Sequence, residues 1–265
     1  MIMQEFLKIL YRTLIVLTYV FLVSPVVVVV LVSFNPTQSL TINLTNVSLR
    51  WYSEFFRNFN FSGSFVISLQ IAAITAVLAT MLGVPAAYGL VRSNFPGRTA
   101  VQTFMLMPVM IPAIVMGVAL LNLYFITGMK GSILSIVVGH AVITTPFVIR
   151  TASASLAGID LATEEAAIGL GAGRLRIFFQ ITLPLMKSGV IAGIVFVFVL
   201  SFGELNATIF LTSPGTTTLP IQIFSELVWN TNPLVAAASV FQILVITVGV
   251  LIIEYTVGIT KAAQF

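Results

Sequence analysis

Two ionisable side chains, Glu204 and His140, lie inside long apolar stretches of this 265-residue sequence. An ionised group in hydrocarbon is costly unless it is paired or hydrated, so each marks a candidate site for solute contact, proton transfer or helix packing. For Glu204, a gating or packing role is as well supported as direct contact with a solute, and Asn206, two residues further on, is a second candidate for the pathway. His140 has no acidic partner in its own segment, which favours a hydrogen bond to a neighbouring helix over a proton relay.

The remaining sequence contains no recognisable catalytic set. It lacks a GxxxxGK[ST] nucleotide-binding motif, so any ATP chemistry must belong to another chain. No spacing of His and carboxylates suits a metal, and the absence of cysteine excludes disulfides and thiolate metal sites. We therefore expect a non-catalytic chain that holds no cofactor or metal of its own.

Composition predicts a membrane protein. The chain is 58% hydrophobic and 8% charged, with a mean hydropathy of +1.11, so a water-soluble form would expose apolar surface everywhere. About 20 apolar residues in a helix cross a hydrocarbon core of about 30 Å. The sequence thus predicts an all-α membrane protein in one transmembrane domain, 1–265, with spans at 13–34, 63–91, 100–127, 132–148, 188–211 and 234–259.

Prolines and aromatic residues add detail to these spans. Pro108 and Pro112 lie four residues apart, so they should bend the third span and expose backbone carbonyls on one face. We favour a pore-facing bend over one that serves packing alone. Trp51 and Tyr52 follow the first span, where anchoring in the lipid interface explains them better than substrate binding.

The basic residues orient the chain. Six spans place both termini on one side, and nine of the twelve Lys and Arg residues fall on that side: Lys8, Arg12, Arg92, Arg98, Arg150, Arg174, Arg176, Lys187 and Lys261. Arg50, Arg57 and Lys130 fall on the other. This bias predicts cytoplasmic termini and a cytoplasmic loop at 150–187, and it explains the net charge of +4 without nucleic-acid binding.

The loop at 150–187 contains a long polar stretch, EAAIGLGAGRLRIFFQITLP, from Glu165 to Pro184. Thr163 could cap a helix there, with Glu164 and Glu165 in the first turn, where the helix dipole favours carboxylates. Three glycines would end this helix, and a second helical pattern would run until Pro184. A stretch of this kind could dock on a protein partner or lie at the membrane interface as an amphipathic helix.

The fixed positions of this stretch are Glu165, Ala166, Ala167, Gly171, Ile181, Leu183 and Pro184. Their spacing resembles that of the signature loop of permease subunits in binding-protein-dependent ABC importers. An amphipathic interfacial helix would not explain this spacing. The resemblance implies that these residues, with Glu164, form a coupling helix that inserts into a groove on an ATP-hydrolysing subunit.

Further short motifs are similar to those of spermidine/putrescine permease subunits: Ser33-Phe34-Asn35, Trp51-Tyr52, Gly139-His140, Pro146-Phe147 and Leu219-Pro220. The resemblance implies a type I ABC importer permease fold with six transmembrane helices in a bacterial inner membrane. It also implies a second permease subunit, expected to be a different chain, two ATP-binding subunits that hold ATP and Mg²⁺, and a periplasmic solute-binding protein.

The transported substance is expected to be a small polar solute, with a polyamine as the first choice. Its ammonium groups would call for carboxylates and aromatic faces along the pathway, whose candidate residues are Glu204, Asn206, Pro108 and Pro112. Aminoethylphosphonate, opines and ferric iron are alternatives that the short motifs separate poorly. An ion-gradient-driven secondary transporter is the alternative from another class, and it would be expected to carry more intramembrane ionisable residues or paired broken helices.

Overall fold

The computed structural model describes residues 2–42, 46–129, 131–230 and 232–257, which form helices and no β-strand. The longer helices are α1 (Ile2–Ser33), α3 (Phe59–Arg92), α5 (Ala113–Thr127), α6 (Ile133–Ala157), α10 (Lys187–Gly203) and α13 (Leu234–Val257). The shorter ones are α2 (Arg50–Arg57), α4 (Arg98–Leu106), α7 (Leu161–Gly169), α8 (Arg174–Ile177), α9 (Leu183–Leu185), α11 (Thr208–Leu211) and α12 (Leu219–Trp229). Helix dominates because an apolar segment in lipid must satisfy its own backbone hydrogen bonds.

Four continuous helices of the described residues are long and apolar enough to cross a membrane: Gln4–Ser33, Phe59–Arg92, Ile133–Ala157 and Leu234–Thr256. Two bent pairs raise the number to six if each pair counts as one span. One pair joins Arg98–Met110 to Ala113–Thr127 at 101°, and the other joins Arg174–Leu185 to Lys187–Gly203 at 74°.

The third predicted span is broken rather than gently bent. Met107–Met110 forms a 3₁₀ turn, and Ile111 then becomes extended, with φ −86° and ψ 129°. Pro112 explains the break, because it lacks an amide hydrogen and disfavours helical geometry at the residue before it.

Two other predicted boundaries differ from the structure. Helix α6 continues to Ala157, so the first part of the predicted loop at 150–187 is helical. The predicted span at 188–211 holds a continuous helix only as far as Gly203, because Glu204 is extended, with φ −72° and ψ 118°. Glu204 therefore lies just after a helix end within the predicted span at 188–211, where the sequence predicted an uninterrupted span.

The chain separates into two compact units by its internal contacts, residues 1–62 with 223–243 and residues 63–222 with 244–265. The core of the second unit lies where α6 packs on α10, with α3 contributing to the same cluster. Small side chains such as Ala79, Ala87 and Ala152 are fully buried there, which lets the helix backbones approach closely.

The first unit has an aromatic core built on α2. Phe55 is fully buried, and its ring centroid lies 4.5 Å from that of Phe241. Trp51 is 2% exposed, and its indole N–H donates to the Asn35 carbonyl oxygen at 2.6 Å. The Tyr52 hydroxyl lies 2.7 Å from Ser33 Oγ. The prediction of lipid anchoring was wrong for Trp51, because its side chain is buried inside the unit. Tyr52 is half-buried, and its anchoring role stays a prediction.

Asn35 organises the segment that follows α1. It is fully buried, and its side-chain amide donates to the carbonyl oxygens of Ser39 at 2.9 Å and Thr41 at 2.6 Å. Its Oδ1 accepts hydrogen bonds from the backbone N–H and the hydroxyl of Thr37, both at 2.9 Å. One side chain thus closes the turn at 35–41.

We expect Asn35→Ala to loosen this turn, because the substitution removes the hydrogen bonds that the buried Asn35 side chain makes to Thr37, Ser39 and Thr41, each worth about 0.5–1.5 kcal/mol. Hydrogen exchange measured by mass spectrometry should show faster exchange across 35–42. The control is Asn46→Ala, which makes the same change at an exposed position in the same loop. Equal exchange rates in the two variants would contradict the organising role.

Candidate functional site

The segment 161–185, named the coupling segment after its predicted role, begins with α7. The helix starts at Leu161 because the Asp160 side chain accepts a hydrogen bond from the Ala162 N–H at 3.0 Å. An aspartate in this position satisfies an amide that the first helical turn leaves unpaired. The predicted cap, Thr163, is therefore wrong, and that residue lies inside the helix.

A glycine turn reverses the coupling segment after α7. The helix ends at Gly169, as the glycine pattern predicted, and Gly171 adopts the left-handed conformation with φ +84°. The Gly171 N–H donates to the Ile168 carbonyl oxygen at 2.9 Å. Helical geometry then resumes at Arg174 and passes through a π-helical turn at Phe178–Thr182.

Pro184 does not end the helical run, contrary to the sequence prediction. It lies in the first turn of α9, which extends to Leu185, and the chain bends at Met186 before α10. Proline lacks the amide hydrogen that a continuing helix uses, and the π-helical turn at Phe178–Thr182 lies immediately before α9, so the helical hydrogen-bond pattern is already irregular at this point.

The adjacent carboxylates of the coupling segment lie in different environments. Glu164 is 4% exposed, and its Oε1 lies 3.0 Å from Arg92 Nε at the end of α3. The Tyr88 hydroxyl donates to Glu164 Oε2 at 3.3 Å, and Arg92 Nη2 donates to the Ile159 carbonyl oxygen at 3.0 Å. Glu165 is exposed. Glu164 thus holds α7 against α3, whereas the Glu165 side chain points to the surface of the chain.

Other residues of the predicted coupling loop are accessible to different degrees. Ala166, Gly171 and Pro184 are exposed, while Ala167, Ile181 and Leu183 are half-buried. The same segment exposes large apolar side chains, including Ile168 at 56%, Leu170 at 90% and Leu175 at 77%. Apolar side chains this accessible on a segment that also carries charge are typical of a protein-binding surface.

A cavity of about 360 Å³ lies between the end of α3 and the coupling segment. Its lining is partly charged and includes Arg92, Glu164, Glu165 and Arg174. Sequence reasoning missed Arg92 and Tyr88 as parts of this site, because 72 residues separate Arg92 from Glu164 and no local pattern connects them. From the sequence, Arg92 contributed only to the prediction of membrane orientation.

The second candidate site is the break after α10, at 204–207. Glu204 is half-buried, and its Oε1 accepts a hydrogen bond from the Ala207 N–H at 2.9 Å. Asn206 is exposed, and Ala207 is fully buried. The other two predicted pathway residues lie at the break between α4 and α5, where Pro108 is half-buried and Pro112 is exposed.

His140 forms hydrogen bonds to a neighbouring segment, as predicted. It is 1% exposed, its Nδ1 lies 2.7 Å from Ser201 Oγ, and its Nε2 lies 2.8 Å from Thr208 Oγ1. Sequence reasoning did not identify these two hydroxyls, which lie 61 and 68 residues further along the chain. Within the described part of the chain, no group of three or more His, Cys, Asp or Glu side chains could hold a metal ion.

Apolar helices with two breaks, together with an exposed helix-and-turn segment, indicate a multi-pass membrane protein. Residues 79–257 match the family described as the binding-protein-dependent transport system inner membrane component, and the chain belongs to this family. Escherichia coli K12 PotI, a putrescine transport system permease protein, is 34% identical over 224 residues, which cover 82% of this chain and 79% of PotI.

Two further relatives carry different names. The spermidine/putrescine transport system permease protein PotC of Escherichia coli K12 is 32% identical and covers 83% of each chain. A probable molybdenum ABC transporter permease protein of Haloferax volcanii is also 32% identical, over 72% of this chain and 73% of that protein.

Solved structures share the fold at low sequence identity. A chain of a bacterial ABC transporter for the import of alginate superposes with a TM-score of 0.71 at 16% identity and covers 96% of this chain and 95% of its own length. A chain of the MetNI methionine ABC transporter gives a TM-score of 0.58 at 16% identity and covers 79% of this chain and 99% of its own length. The fold is therefore that of ABC importer permeases.

Proposed function

We propose that this chain forms half of the solute pathway of an ATP-driven importer in a bacterial inner membrane, with both termini in the cytoplasm. The proposed assembly contains a second permease subunit of different sequence, two ATP-binding subunits and a periplasmic solute-binding protein. ATP and Mg²⁺ would bind the ATPase subunits alone, since this sequence has no nucleotide-binding motif. The chain itself would make and break no covalent bond.

The observation that carries the docking role is the exposure of the coupling segment. Glu165 and Ala166 are exposed beside large accessible apolar side chains, and Leu170 is 90% exposed. The segment is attached to α3 through Glu164 and Arg92 and leads directly into α10. A displacement of the segment by the ATPase subunits would therefore act on two membrane helices, and alternating access would follow as a rigid-body movement.

We expect Gly171→Val to reduce ATP-dependent transport at least tenfold while leaving the chain in the membrane. A β-branched residue at φ +84° is strained by about 1–3 kcal/mol, so the turn of the coupling segment should change shape. The measurements are solute uptake, ATPase activity and retention of the ATPase subunits on the purified permease. The control is Gly169→Val, since Gly169 has open space around its Cβ position and no left-handed backbone. Equal transport by both variants would contradict docking through this turn.

The proposed transported solute is a polyamine such as putrescine. Glu204 provides a half-buried carboxylate at a helix break, where an ammonium group could bind it. The names of PotI and PotC support the same solute class. The Haloferax volcanii relative, named for molybdenum, is similarly identical, so identity alone does not select the solute and uptake has to be measured.

Uptake of radiolabelled putrescine into proteoliposomes that contain the complete complex tests this assignment. We expect accumulation that requires ATP and the binding protein, together with a marked loss in Glu204→Gln. Competition by aminoethylphosphonate, an opine or ferric iron instead of spermidine would assign one of the alternative solutes. Uptake that follows an imposed ion gradient without ATP would identify a secondary transporter and overturn the proposal.

A further inference from the structure

The break after α10 is bridged by a single buried side chain. His140 on α6 contacts Ser201 in the last turn of α10 through Nδ1 and Thr208 at the start of α11 through Nε2. Ser201 and Thr208 are themselves buried, at 4% and 0% exposure. One imidazole therefore holds both ends of the non-helical segment 204–207.

The same contacts set the position of Glu204. The Thr208 hydroxyl, which meets the imidazole, donates to the Glu204 backbone carbonyl oxygen at 2.9 Å. Glu204 Oε1 accepts the Ala207 N–H, and none of the described residues donates to its other oxygen. A chain of hydrogen bonds thus runs from His140 through Thr208 to the backbone of the carboxylate residue.

Burial separates the two sides of this break. Ala207 and Thr208 are fully buried, whereas Glu204 is half-buried and Asn206 is exposed.

The two hydrogen-bond partners of the His140 imidazole lie on different segments. An imidazole that needed only to satisfy its own nitrogens could do so with neighbours on one helix. Here its two partners come from opposite ends of the break, so their distance is fixed by the ring.

We propose that His140 is a positioning residue for Glu204. Its imidazole clamps the 204–207 break and so presents the Glu204 carboxylate to the solute. The inference rests on the proposed pathway role of Glu204 and deepens it, since it assigns His140 to the transport step. Loss of the clamp should let the break rearrange, which changes both the accessibility of Asn206 and the affinity for a cationic solute.

The first experiment needs no assumption about the solute. Because the chain has no cysteine, Asn206→Cys creates a single thiol, and its reaction rate with N-ethylmaleimide in the complete complex can be followed by the mass of this chain. We expect His140→Ala to change that rate about tenfold or more, because the substitution removes both buried hydrogen bonds of the imidazole and each contributes roughly a factor of two to ten. A thiol at the exposed, distant position Thr99→Cys should react at an unchanged rate.

Matched variants separate clamping from general loss of packing. Thr144→Ala removes a buried hydroxyl one turn further along α6, which donates to the His140 carbonyl oxygen and not to a residue of the break. It should leave the rate at position 206 unchanged, whereas Ser201→Ala and Thr208→Val should each change it in the direction of His140→Ala. His140→Gln, which can still bond to Thr208, should restore part of the native rate. An effect of Thr144→Ala equal to that of His140→Ala would overturn the proposal.

The second experiment is a double-mutant cycle on putrescine uptake. If His140 acts through Glu204, His140→Ala should raise the half-saturating concentration about tenfold in the native background and less than about twofold in the Glu204→Gln background. Equal factors in the two backgrounds would contradict positioning. A complex that does not transport putrescine would refute the proposed solute, and the labelling rates would still decide whether His140 clamps the break.

Discussion

Arg92→Ala should strongly destabilise the coupling segment. The substitution leaves the Glu164 carboxylate, 4% exposed, without the guanidinium that lies 3.0 Å away. It also removes the hydrogen bond to the Ile159 carbonyl oxygen at 3.0 Å. Removing one partner of a buried ion pair costs about 3–5 kcal/mol, because a charge remains buried without compensation.

The measurement is hydrogen exchange across 161–169, together with transport-coupled ATPase activity of the assembled complex. We expect fast exchange in α7 and ATP hydrolysis that no longer drives uptake. The double variant Arg92→Met with Glu164→Leu should recover much of the protection, since an apolar pair of similar size needs no counter-charge. Native protection of α7 in Arg92→Ala would show that the ion pair does not hold the segment.

The chain contains its own control for this experiment. Lys8 and Glu5 form a second ion pair at 3.1 Å, but their side chains are 66% and 64% exposed. Water screens such a pair and side-chain entropy opposes it, so Lys8→Ala should leave exchange and transport unchanged. The contrast tests burial rather than charge alone.

Gly189→Ala is expected to disrupt the packing of α10 on α6. A Cβ at this position would overlap Ser155 Cβ and would lie 2.6 Å from the Thr151 carbonyl oxygen, so the helices would have to separate. Overpacking of this kind costs about 1–3 kcal/mol, and more where a backbone atom is the obstacle. The thermal midpoint of the detergent-purified complex should fall, and the yield of assembled complex should fall with it.

Two variants test the steric explanation. Gly89→Ala makes the same change on α3, where no atom lies within 4 Å of the new Cβ, and it should leave the midpoint nearly unchanged. Ser155→Gly in the Gly189→Ala background removes the nearest obstacle and should restore part of the lost stability. The Thr151 carbonyl oxygen remains in place, so the restoration should be incomplete. A midpoint in Gly189→Ala equal to that of Gly89→Ala would contradict the close approach.

Local pattern was sufficient where the physics is local. The apolar stretches predicted membrane helices because hydrocarbon leaves the backbone no other way to satisfy its hydrogen bonds, and the structure has helices at each predicted span. The glycines after Ile168 predicted the end of α7, because the left-handed backbone conformation that often follows a helix is most easily adopted by glycine. The family was also accessible, because the spacing from Glu165 to Pro184 is a contiguous sequence motif.

Tertiary packing decided what adjacent or distant residues do. Glu164 and Glu165 are neighbours in the sequence. Glu164 nevertheless pairs with Arg92, which lies 72 residues earlier in the chain, whereas Glu165 is exposed. His140 meets hydroxyls 61 and 68 residues away, and Trp51 gives its N–H to Asn35 instead of to the lipid interface. Helical periodicity and residue type are encoded within a few turns. Which buried polar atoms meet depends on how the helices approach, and no single segment of the sequence specifies that approach.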